Sequence, residues 1–373
     1  MQMIKVMSIF GTRPEAIKMA PLVKELEKEP QIKSIVCVTA QHREMLDMVL
    51  ELFDIKPDYD LNIMAHGQTI IDIISKSLYG LDEIMKKEKP DIVLVHGDTT
   101  TTCAGAQAAF LNKIDVGHVE AGLRSGNIYS PFPEEMNRKI TGTIANMHFA
   151  PTLGNKLNLL REGVNEDGIF VTGNTVIDAL HQVINKDYLF DSDELNNIDY
   201  NNKKVILLTC HRRENWGQPM EDIFRSVKSI IETNQSVEVI FPMHMNPKIR
   251  ELAYNIFNGE QRIHLIDPLD YEPFANLINK CYLIMTDSGG IQEEAPSLGK
   301  PVVVLRTETE RPEAVEAGTV KVIGIDKEVI IKEVNVLLNE DREYIKMKNA
   351  VNPYGDGTAS KQIVQHIKAH YKQ

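Results

Sequence analysis

Acidic side chains follow apolar runs in the first half of the chain. Asp98 lies in HGDTTTT after the run 91–96, Glu120 lies in GHVEAG, and Glu134 lies in PEEMNR. Carboxylates that share a poorly solvated site raise the pKa of at least one of them, so that acid and base forms coexist near neutral pH. These three residues are therefore candidates for proton transfer. The alternatives are a helix cap for Asp98, a satisfied core acid for Glu120 and a first-turn acid for Glu134.

The strongest indication of a phosphate site is the segment YLIMTDSGGIQEEA at 282–295. It predicts a strand, a tight turn and a helix start, where we expect Ser288 to cap the helix. Gly289 and Gly290 would let a diphosphate approach free backbone N–H groups at the positive end of the helix dipole. Glu294 is placed to accept hydrogen bonds from ribose hydroxyls. The alternative is a glycine pair that serves only close packing of helix on sheet.

Basic side chains stand at two predicted helix starts. Arg13 precedes Pro14 in GTRPEAIK, Lys18 lies one turn further on, and Arg311 precedes a proline in ETERPE. Together with the glycine pair, these cations predict a clamp for a nucleoside diphosphate. His211, directly after an apolar run, could protonate or hydrogen-bond a leaving phosphate. The alternatives are surface cations and a loop histidine bonded to backbone.

Residue spacing argues against several other sites. The first loop lacks G-x-G-x-x-G, and the chain has no G-x-x-x-x-G-K-[ST], so a dinucleotide fingerprint and a nucleotide-hydrolysing phosphate loop are unsupported. No H-E-x-x-H or Cys/His metal spacing occurs, so we expect no metal site. His96 and His118 lie inside predicted strands, which favours a structural role.

The charge balance limits the partners. The chain has 373 residues, with 41 Lys and Arg against 53 Asp and Glu, for a net charge of −12. This acid excess, without a basic block, argues against nucleic acid or an anionic membrane as a partner. The first apolar run is too short for a signal peptide or a membrane span. Cys37, Cys103, Cys210 and Cys281 are widely spaced, which favours reduced thiols in a cytoplasmic protein.

Apolar runs alternate with stretches of helical period, which predicts parallel sheets with crossover helices. The predicted strands are 4–10, 34–39, 91–96, 116–120, 147–150, 169–172, 204–209, 237–242, 263–266, 282–286, 301–305 and 320–323. We place a boundary near Gly173 and expect the polar stretch 187–203 to be a loop of the second domain. The prediction is two doubly wound α/β domains, 1–172 and 173–353, which face a cleft and bind ligands at the carboxyl ends of their strands.

Long motifs follow one another along the chain, in the order GTRPEAIKMAP, HGDTTTT, GHVEAGLRS, PEEMNR, HRRENWG, TDSGGIQEEAPSLGKPVV, ERPEAVEAGT and NPYGDGTAS. With these motifs the chain closely resembles the non-hydrolysing UDP-N-acetylglucosamine (UDP-GlcNAc) 2-epimerases. The resemblance implies the twin-domain fold of one large class of glycosyltransferases, the GT-B fold. It also implies reversible conversion of UDP-GlcNAc to UDP-N-acetylmannosamine, a homodimer, and no metal or nicotinamide.

The resemblance assigns roles to individual residues. The residues implied to hold UDP are Arg13, His211, Phe274, Ser288, Gly289, Gly290, Glu294 and Arg311. The residues implied at the sugar are the carboxylates Asp98, Glu120 and Glu134, supported by Lys18 and Arg138. The segment 354–373 is expected to pack back on the first domain.

The hydrogen on carbon 2 of the sugar is not acidified by a neighbouring carbonyl, so direct abstraction and return is implausible. Elimination of UDP to a 2-acetamidoglucal, followed by re-addition, avoids that obstacle. Protons must be removed and returned on opposite faces, which requires two differently placed acids. Which of Asp98, Glu120 and Glu134 is the acid and which is the base stays open.

One departure from the family concerns an activator pocket, which bacterial relatives have beside the active site. The candidate residues for it are Gln41, Gln68, Arg212 and His244. Glu44 stands where relatives often carry Gln, and Gly67 stands where some carry Arg. A carboxylate gained and a guanidinium lost should weaken binding of a second diphosphate ligand. We therefore expect weak or absent activation by UDP-GlcNAc.

Three other functions stay open at this point. A hydrolysing 2-epimerase would release free N-acetylmannosamine and UDP, and a glycosyltransferase of the same fold would need an acceptor. A catalytically silent UDP-sugar-binding regulator is a third alternative, although the three intact acids argue against it. The product would supply a cell-surface polysaccharide, whose pathway the sequence leaves undetermined.

Overall fold

Seven strands form the first parallel sheet of the computed structural model, which describes residues 3–41 and 43–372. They are β1 (Ile4–Phe10), β2 (Ile32–Val38), β3 (Tyr59–Asp60), β4 (Ile92–His96), β5 (Asp115–Val119), β6 (Met147–Ala150) and β7 (Ile169–Val171). The order across the sheet is β3-β2-β1-β4-β5-β6-β7. The winding direction therefore reverses between β1 and β4, where ligands bind in open α/β sheets.

Helices connect the strands of this sheet. They are α1 (Arg13–Glu27), α2 (Arg43–Leu52), α3 (Ile70–Glu88), α4 (Thr100–Leu111), α5 (Glu134–Ile144), α6 (Leu153–Arg161) and α7 (Thr175–Val183). Strands β1 and β4 are buried along nearly their whole length, as expected of strands covered on both faces.

The second parallel sheet has six strands, with the order β10-β9-β8-β11-β12-β13. They are β8 (Lys204–Thr209), β9 (Val237–Pro242), β10 (Ile263–Ile266), β11 (Leu283–Thr286), β12 (Val302–Val304) and β13 (Val320–Val322). The helices that follow α7 are α8 (Asp193–Asn196), α9 (Gln218–Thr233), α10 (Pro247–Phe257), α11 (Tyr271–Lys280), α12 (Ile291–Ser297), α13 (Pro312–Glu316), α14 (Lys327–Asn339), α15 (Asp341–Lys348) and α16 (Ala359–His370). The winding reverses between β8 and β11.

The predicted α/β class with two doubly wound sheets is confirmed. Every predicted strand is present, with ends that shift by at most two residues. Strand β3 was not predicted, because its two residues form no apolar run. The stretch 187–203 contains the short helix α8, where a loop was expected, because the Ser192 side chain accepts a hydrogen bond from the Leu195 amide and caps it.

The chain forms two compact units. The first runs to Gln182 and resumes at Tyr354, and the second spans Val183–Pro353. The division therefore falls at the last residue of α7, beyond the predicted boundary near Gly173. The physical reason is that α7 is attached to the C-terminal segment of the first unit, where the buried Asp178 side chain accepts hydrogen bonds from the amides of Ala359 and Ser360.

Two glycines let the C-terminal segment approach the loop after β7. The amide of Asn174 donates to the carbonyl of Tyr354 at 2.7 Å. Gly173 and Gly355 both have positive φ, and a Cβ on Gly173 would lie 2.9 Å from the Tyr354 carbonyl oxygen and 3.2 Å from the Gly355 Cα. A side chain at position 173 would therefore be disfavoured both by the backbone conformation and by contact with backbone.

Within residues 3–41 and 43–372, no helix combines the length and apolar character needed to cross a membrane.

Gly173→Ala should destabilise the first unit by roughly 3 kcal/mol, because the positive φ costs about 1–2 kcal/mol and the backbone contact adds to it. Gly163→Ala is the matched control, since Gly163 has a similar φ of +84° but no atom within 4 Å of its Cβ position. We expect Gly163→Ala to lower the free energy of unfolding only by the cost of the positive φ. Urea unfolding of both variants measures the difference, and equal losses would contradict the packing argument.

Candidate active site

The loops after β1, β4 and β5 lie along one edge of the first sheet. Register pairs Ile9 with Val95, and His96 with Val119, so the three strands end side by side. The carboxyl ends of parallel strands are the expected ligand-binding edge of such a sheet. Two of the three predicted carboxylates follow these strands directly.

A buried carboxylate, Glu15, ties the loop after β1 to the loop after β4. It accepts hydrogen bonds from the amides of Gly11 and Thr12 at 3.0 and 2.8 Å, and from the hydroxyls of Thr12, Thr99 and Thr102. Burial raises the pKa of Glu15 above its ordinary value, although these hydrogen bonds oppose the rise. Glu15 is not among the residues predicted from the sequence, where its only signal is its position three residues after Thr12, as in a capping box.

Asp98 is held by a guanidinium. Nε and Nη2 of Arg138 donate to Asp98 Oδ2 at 3.0 and 2.6 Å, while Nη1 donates to the buried Glu135 at 3.1 Å. Asp98 is not the cap of α4, because Thr99 holds that position and accepts from the amide of Thr102. The helix-cap alternative for Asp98 is therefore wrong.

Glu120 has an unusual backbone conformation, with a φ of +62° for a residue that has a side chain. Its Oε2 accepts from Nζ of Lys18 and from Nδ2 of Asn174 (2.8 Å), and it lies 3.7 Å from Nε2 of His96. A Cβ on Gly97 would lie 3.5 Å from Oε1 of Glu120, so this carboxylate lies beside the residue that precedes Asp98. The structure thus brings the first two predicted carboxylates together, each with its own cation.

Glu134 opens α5 and is half-buried. Nδ2 of Asn137 donates to the carbonyl of Asp98 at 2.9 Å, which places the first turn of α5 beside that residue. The structure therefore brings the start of α5 to the same group of loops. Arg13 is the first residue of α1, and it is half-buried after the loop that Glu15 holds.

Three buried histidines support this edge of the sheet. Burial lowers the pKa of His96 to about 4, of His118 to about 3 and of His148 to about 4. Nε2 of His118 lies 2.7 Å from the carbonyl of Gly97, which can only accept, so His118 carries a proton on Nε2. These rings are neutral near pH 7, in agreement with the structural role expected for His96 and His118.

In the second unit, a buried carboxylate holds the loop after β8 to the end of β11. Oδ2 of Asp287 accepts from the amides of His211 and Arg212 and from Nδ2 of Asn215, at 2.9, 2.8 and 3.1 Å. Asp287 is not among the residues predicted from the sequence, because the pattern of the TDSGG motif points to its serine and glycines as the phosphate contacts. The loop that carries His211 therefore lies beside the glycine loop.

His211 faces both an acid and another ring. Its Nδ1 lies 3.3 Å from Oδ1 of Asp287, and its ring stacks on that of His244 with 6.1 Å between centroids. Burial lowers the pKa of His211, which Asp287 raises and Arg212 and His244 lower further. The ring is half-buried, so it is open to a ligand.

The glycine loop differs in one respect from the sequence prediction. Gly290, and not Ser288, is the residue that caps α12, and no side chain caps it. Cβ atoms on Gly289 and Gly290 would lie 3.8 Å from the nearest atoms, on Arg212 and Glu294. Close helix-sheet packing therefore does not require glycine at either position. Among the described residues, the amides of both glycines donate no hydrogen bond.

Three further residues predicted to hold a nucleotide, Arg311, Glu294 and Phe274, belong to the second unit. Arg311 caps α13 and forms an ion pair with the buried Glu293, so it is already neutralised. Glu294 lies in α12, where its charge helps to raise the pKa of Tyr271, after burial as the larger cause. Phe274 is half-buried in the first turn of α11.

The four residues of the candidate activator pocket fall into two pairs, one in each unit. In the first unit, Gln41 Oε1 lies 3.4 Å from the hydroxyl of Thr101, and Oε1 of Gln68 is buried without a hydrogen bond to any described residue. In the second, Arg212 and His244 both adjoin His211.

Across the part of the chain that the structure describes, no three His, Cys, Asp or Glu side chains are placed to bind a metal ion.

Comparisons with known proteins agree in one description. A family model described as UDP-N-acetylglucosamine 2-epimerase matches residues 24–368. UDP-N-acetylglucosamine 2-epimerase of Bacillus subtilis is 57% identical over 371 residues, which cover 100% of this chain and 97% of that protein. The chain is also similar to S. aureus MnaA solved with UDP, with 53% identity, 99% and 97% of the two chains covered and a TM-score of 0.88. A Neisseria meningitidis UDP-GlcNAc 2-epimerase solved with UDP-GlcNAc is 50% identical, with 98% and 100% covered and a TM-score of 0.87.

The stability of the first unit should fall as the pH falls from about 6.5 toward about 4. In that range the unfolded chain protonates histidines that the folded chain holds neutral, so the unfolded state binds more protons. His96→Asn should reduce the slope of the unfolding free energy against pH by up to about 1.4 kcal/mol per pH unit. Urea unfolding at several pH values measures it, with the exposed His66→Asn as control. An unchanged slope in His96→Asn would contradict the assignment.

Proposed function

The chain belongs to the UDP-N-acetylglucosamine 2-epimerase family, and we propose that it interconverts UDP-GlcNAc and UDP-N-acetylmannosamine without hydrolysis. In this proposal the second unit binds UDP and the first unit supplies the carboxylates that act on the sugar. Neither UDP binding nor the action of the carboxylates involves a metal or a nicotinamide in this proposal.

The diphosphate is proposed to bind at Gly289 and Gly290. Their amides donate no hydrogen bond to any described residue, and the protein leaves room for a Cβ at both positions. Packing does not require glycine at either position, but close approach of a ligand to the backbone would. His211 is proposed to contact the diphosphate, and Glu294 the ribose. Ser288 and Phe274 are kept as UDP contacts, as the family resemblance implies.

Arg311 supports this site in a different way from a free cation. Because it pairs with Glu293, its net field at the diphosphate is small, and its contribution is a guanidinium held in place by that carboxylate. Arg13, the first residue of α1, is kept as a UDP contact, as the family resemblance implies. Its main chain is fixed through Glu15, which binds the two preceding amides.

The observation that carries the catalytic proposal is the adjacency of Asp98 and Glu120 at neighbouring strand ends, each held by its own cation. Lys18 binds Glu120 through Oε2, and Arg138 binds Asp98 through Oδ2, so each cation holds its carboxylate in one orientation. One carboxylate can then accept a proton while another delivers one. Glu134, at the start of α5 beside Asp98, is the third member proposed.

The reaction proceeds by elimination and re-addition in this proposal. The bond between carbon 1 and the diphosphate oxygen breaks, and its electron pair goes to UDP. A carboxylate removes the proton of carbon 2, and the electron pair of that C–H bond forms the double bond of 2-acetamidoglucal. A second carboxylate then protonates carbon 2 from the opposite face while UDP adds back to carbon 1. Retention of both fragments prevents hydrolysis of the intermediate.

A homodimer is proposed through α3 and α4, which pack against each other. Tyr79, Phe110 and Leu111 are large apolar side chains that are exposed on these helices. Nδ2 of Asn112 donates to Asp82, one turn from Tyr79, so the exposed end of α4 adjoins the exposed turn of α3. Apolar groups gathered in this way favour a protein interface.

A cytoplasmic location is proposed from the cysteines. Cys37, Cys103, Cys210 and Cys281 are all buried and unpaired with one another, as suits a reducing compartment.

Asp98→Asn, Glu120→Gln and Glu134→Gln should each lower kcat by at least about 100-fold, because each removes a proton-transfer or charged group at the sugar. Incorporation of solvent deuterium at carbon 2 of UDP-GlcNAc, followed by NMR, measures the chemistry directly. Glu51→Gln, an exposed acid of the same unit, is the control. Near-full turnover in all three variants would overturn the scheme, and release of free N-acetylmannosamine by the wild type would favour the hydrolysing alternative.

Gly289→Ala and Gly290→Ala should weaken UDP binding by at least about tenfold, because a methyl group would keep the diphosphate away from the backbone amides. The free energy of unfolding should change by less than about 0.5 kcal/mol, since the methyl group fits the unliganded protein. Calorimetric titration with UDP and urea unfolding measure the two quantities. UDP binding at wild-type affinity in both variants would place the diphosphate elsewhere.

A further inference from the structure

The carboxylate of Asp287 is enclosed beside the proposed diphosphate site. It is fully buried directly after β11, whose residue Thr286 pairs in register with Thr209 at the end of β8. One oxygen, Oδ2, receives all three hydrogen bonds, from the amides of His211 and Arg212 and the side-chain amide of Asn215. An oxygen that accepts from three donors carries no proton of its own.

The other oxygen, Oδ1, has no hydrogen bond to any described residue, although a buried carboxylate oxygen requires a donor. Nδ1 of His211 lies 3.3 Å from Oδ1. The buried thiol of Cys210 also interacts with Asp287, but a thiol is a weak donor. Because a carboxylate can only accept, a hydrogen bond between His211 and Oδ1 requires the proton of the neutral ring on Nδ1, which leaves a lone pair on Nε2.

The environment of the ring keeps His211 ready to gain a second proton. Three groups face it: Asp287, Arg212 and His244. Burial lowers the pKa of His211, and Arg212 and His244 act in the same direction, so the free ring is neutral near pH 7. Among the described residues, Nε2 has no partner, and the side chain is 41% exposed. A bound anion would favour the imidazolium.

We propose that Asp287 is a positioning residue that holds His211 in the tautomer with the proton on Nδ1, so that Nε2 serves the diphosphate of the leaving UDP. The inference rests on the proposed role of His211 at that diphosphate. When the anion binds, one proton from solvent adds to Nε2, and Asp287 stabilises the imidazolium. The Nε2–H then donates to the diphosphate oxygen that receives the electron pair of the breaking bond to carbon 1. On re-addition that bond forms again, and the proton stays on His211.

Asp287→Asn gives a sharp test, because the three donors at Oδ2 determine how the new amide is oriented. The carbonyl oxygen of the amide must take the place of Oδ2, so its NH2 group faces His211 and donates to Nδ1. The neutral ring is then forced into the opposite tautomer, with its proton on Nε2. The three structural hydrogen bonds are retained, so we expect the variant to fold.

Three measurements read out the effect. Nitrogen-15 NMR of histidine-labelled protein, with His211→Gln to assign the signal, should show the Nδ1–H tautomer in the wild type and the Nε2–H tautomer in Asp287→Asn. Calorimetric titration with UDP in buffers of different ionisation enthalpy should show proton uptake that is close to one in the wild type and close to zero in the variant. The kcat of Asp287→Asn should fall at least about tenfold. The alkaline limb of its kcat–pH profile should move to lower pH, because loss of the Asp287 charge lowers the pKa of His211.

Cys210→Ala is the matched control, since it removes the other group that faces Asp287 and leaves His211 in place. Its tautomer and proton uptake should equal those of the wild type. An Nε2–H tautomer in the wild type, a measurement that needs no variant, would overturn the inference. Undiminished proton uptake in Asp287→Asn would also overturn it while leaving the proposed function intact. Failure of the wild type to bind UDP would overturn both.

Discussion

A carboxylate that is shielded from water must receive its hydrogen bonds from the protein, and in each unit one such carboxylate determines where the loops at the strand ends lie. Glu15 gathers the amides after β1 and the hydroxyls after β4. Asp287 gathers the amides after β8 from the end of β11. Both bridges cross the point where the winding of the sheet reverses. The loops that precede Arg13, carry Asp98 and carry His211 are the ones that these bridges hold.

Charge is distributed by local pairing and not by the net balance of the chain. The chain has a net charge of −12, yet the substrate proposed for it is an anion. Asp98 and Glu120 each lie against a cation, which offsets their repulsion of such a ligand at close range. In the second unit Arg311 is paired as well, so our proposal assigns the main attraction for a diphosphate to backbone amides and His211. This arrangement concentrates recognition on groups with fixed directions.

The glycines of the chain serve two different purposes, which residue type alone does not separate. Gly173 has a positive φ and lies against the backbone of Tyr354 and Gly355, so the fold of the protein itself favours glycine there. Gly289 and Gly290 have room for a Cβ, so packing does not account for them, and in our proposal the approach of a diphosphate does. Ser288 shows the limit of motif reasoning at this loop, because the turn continues to Gly290 before the helix begins and the serine cannot cap it.

The sequence by itself determined the α/β class, nearly every strand and the family, because apolar periodicity and long motifs are local properties of the chain. It also indicated the three candidate carboxylates, Asp98 and Glu120 through their positions after strands and Glu134 through its position at a helix start. Only the tertiary structure decided that Arg138 holds Asp98, that Asn174 completes the site of Glu120, and which unit α7 belongs to. These features depend on contacts between residues far apart in the chain, such as the 84 residues that separate Glu15 from Thr99. The direction of a buried carboxylate follows from the donors that folding brings to it, and no local pattern encodes them.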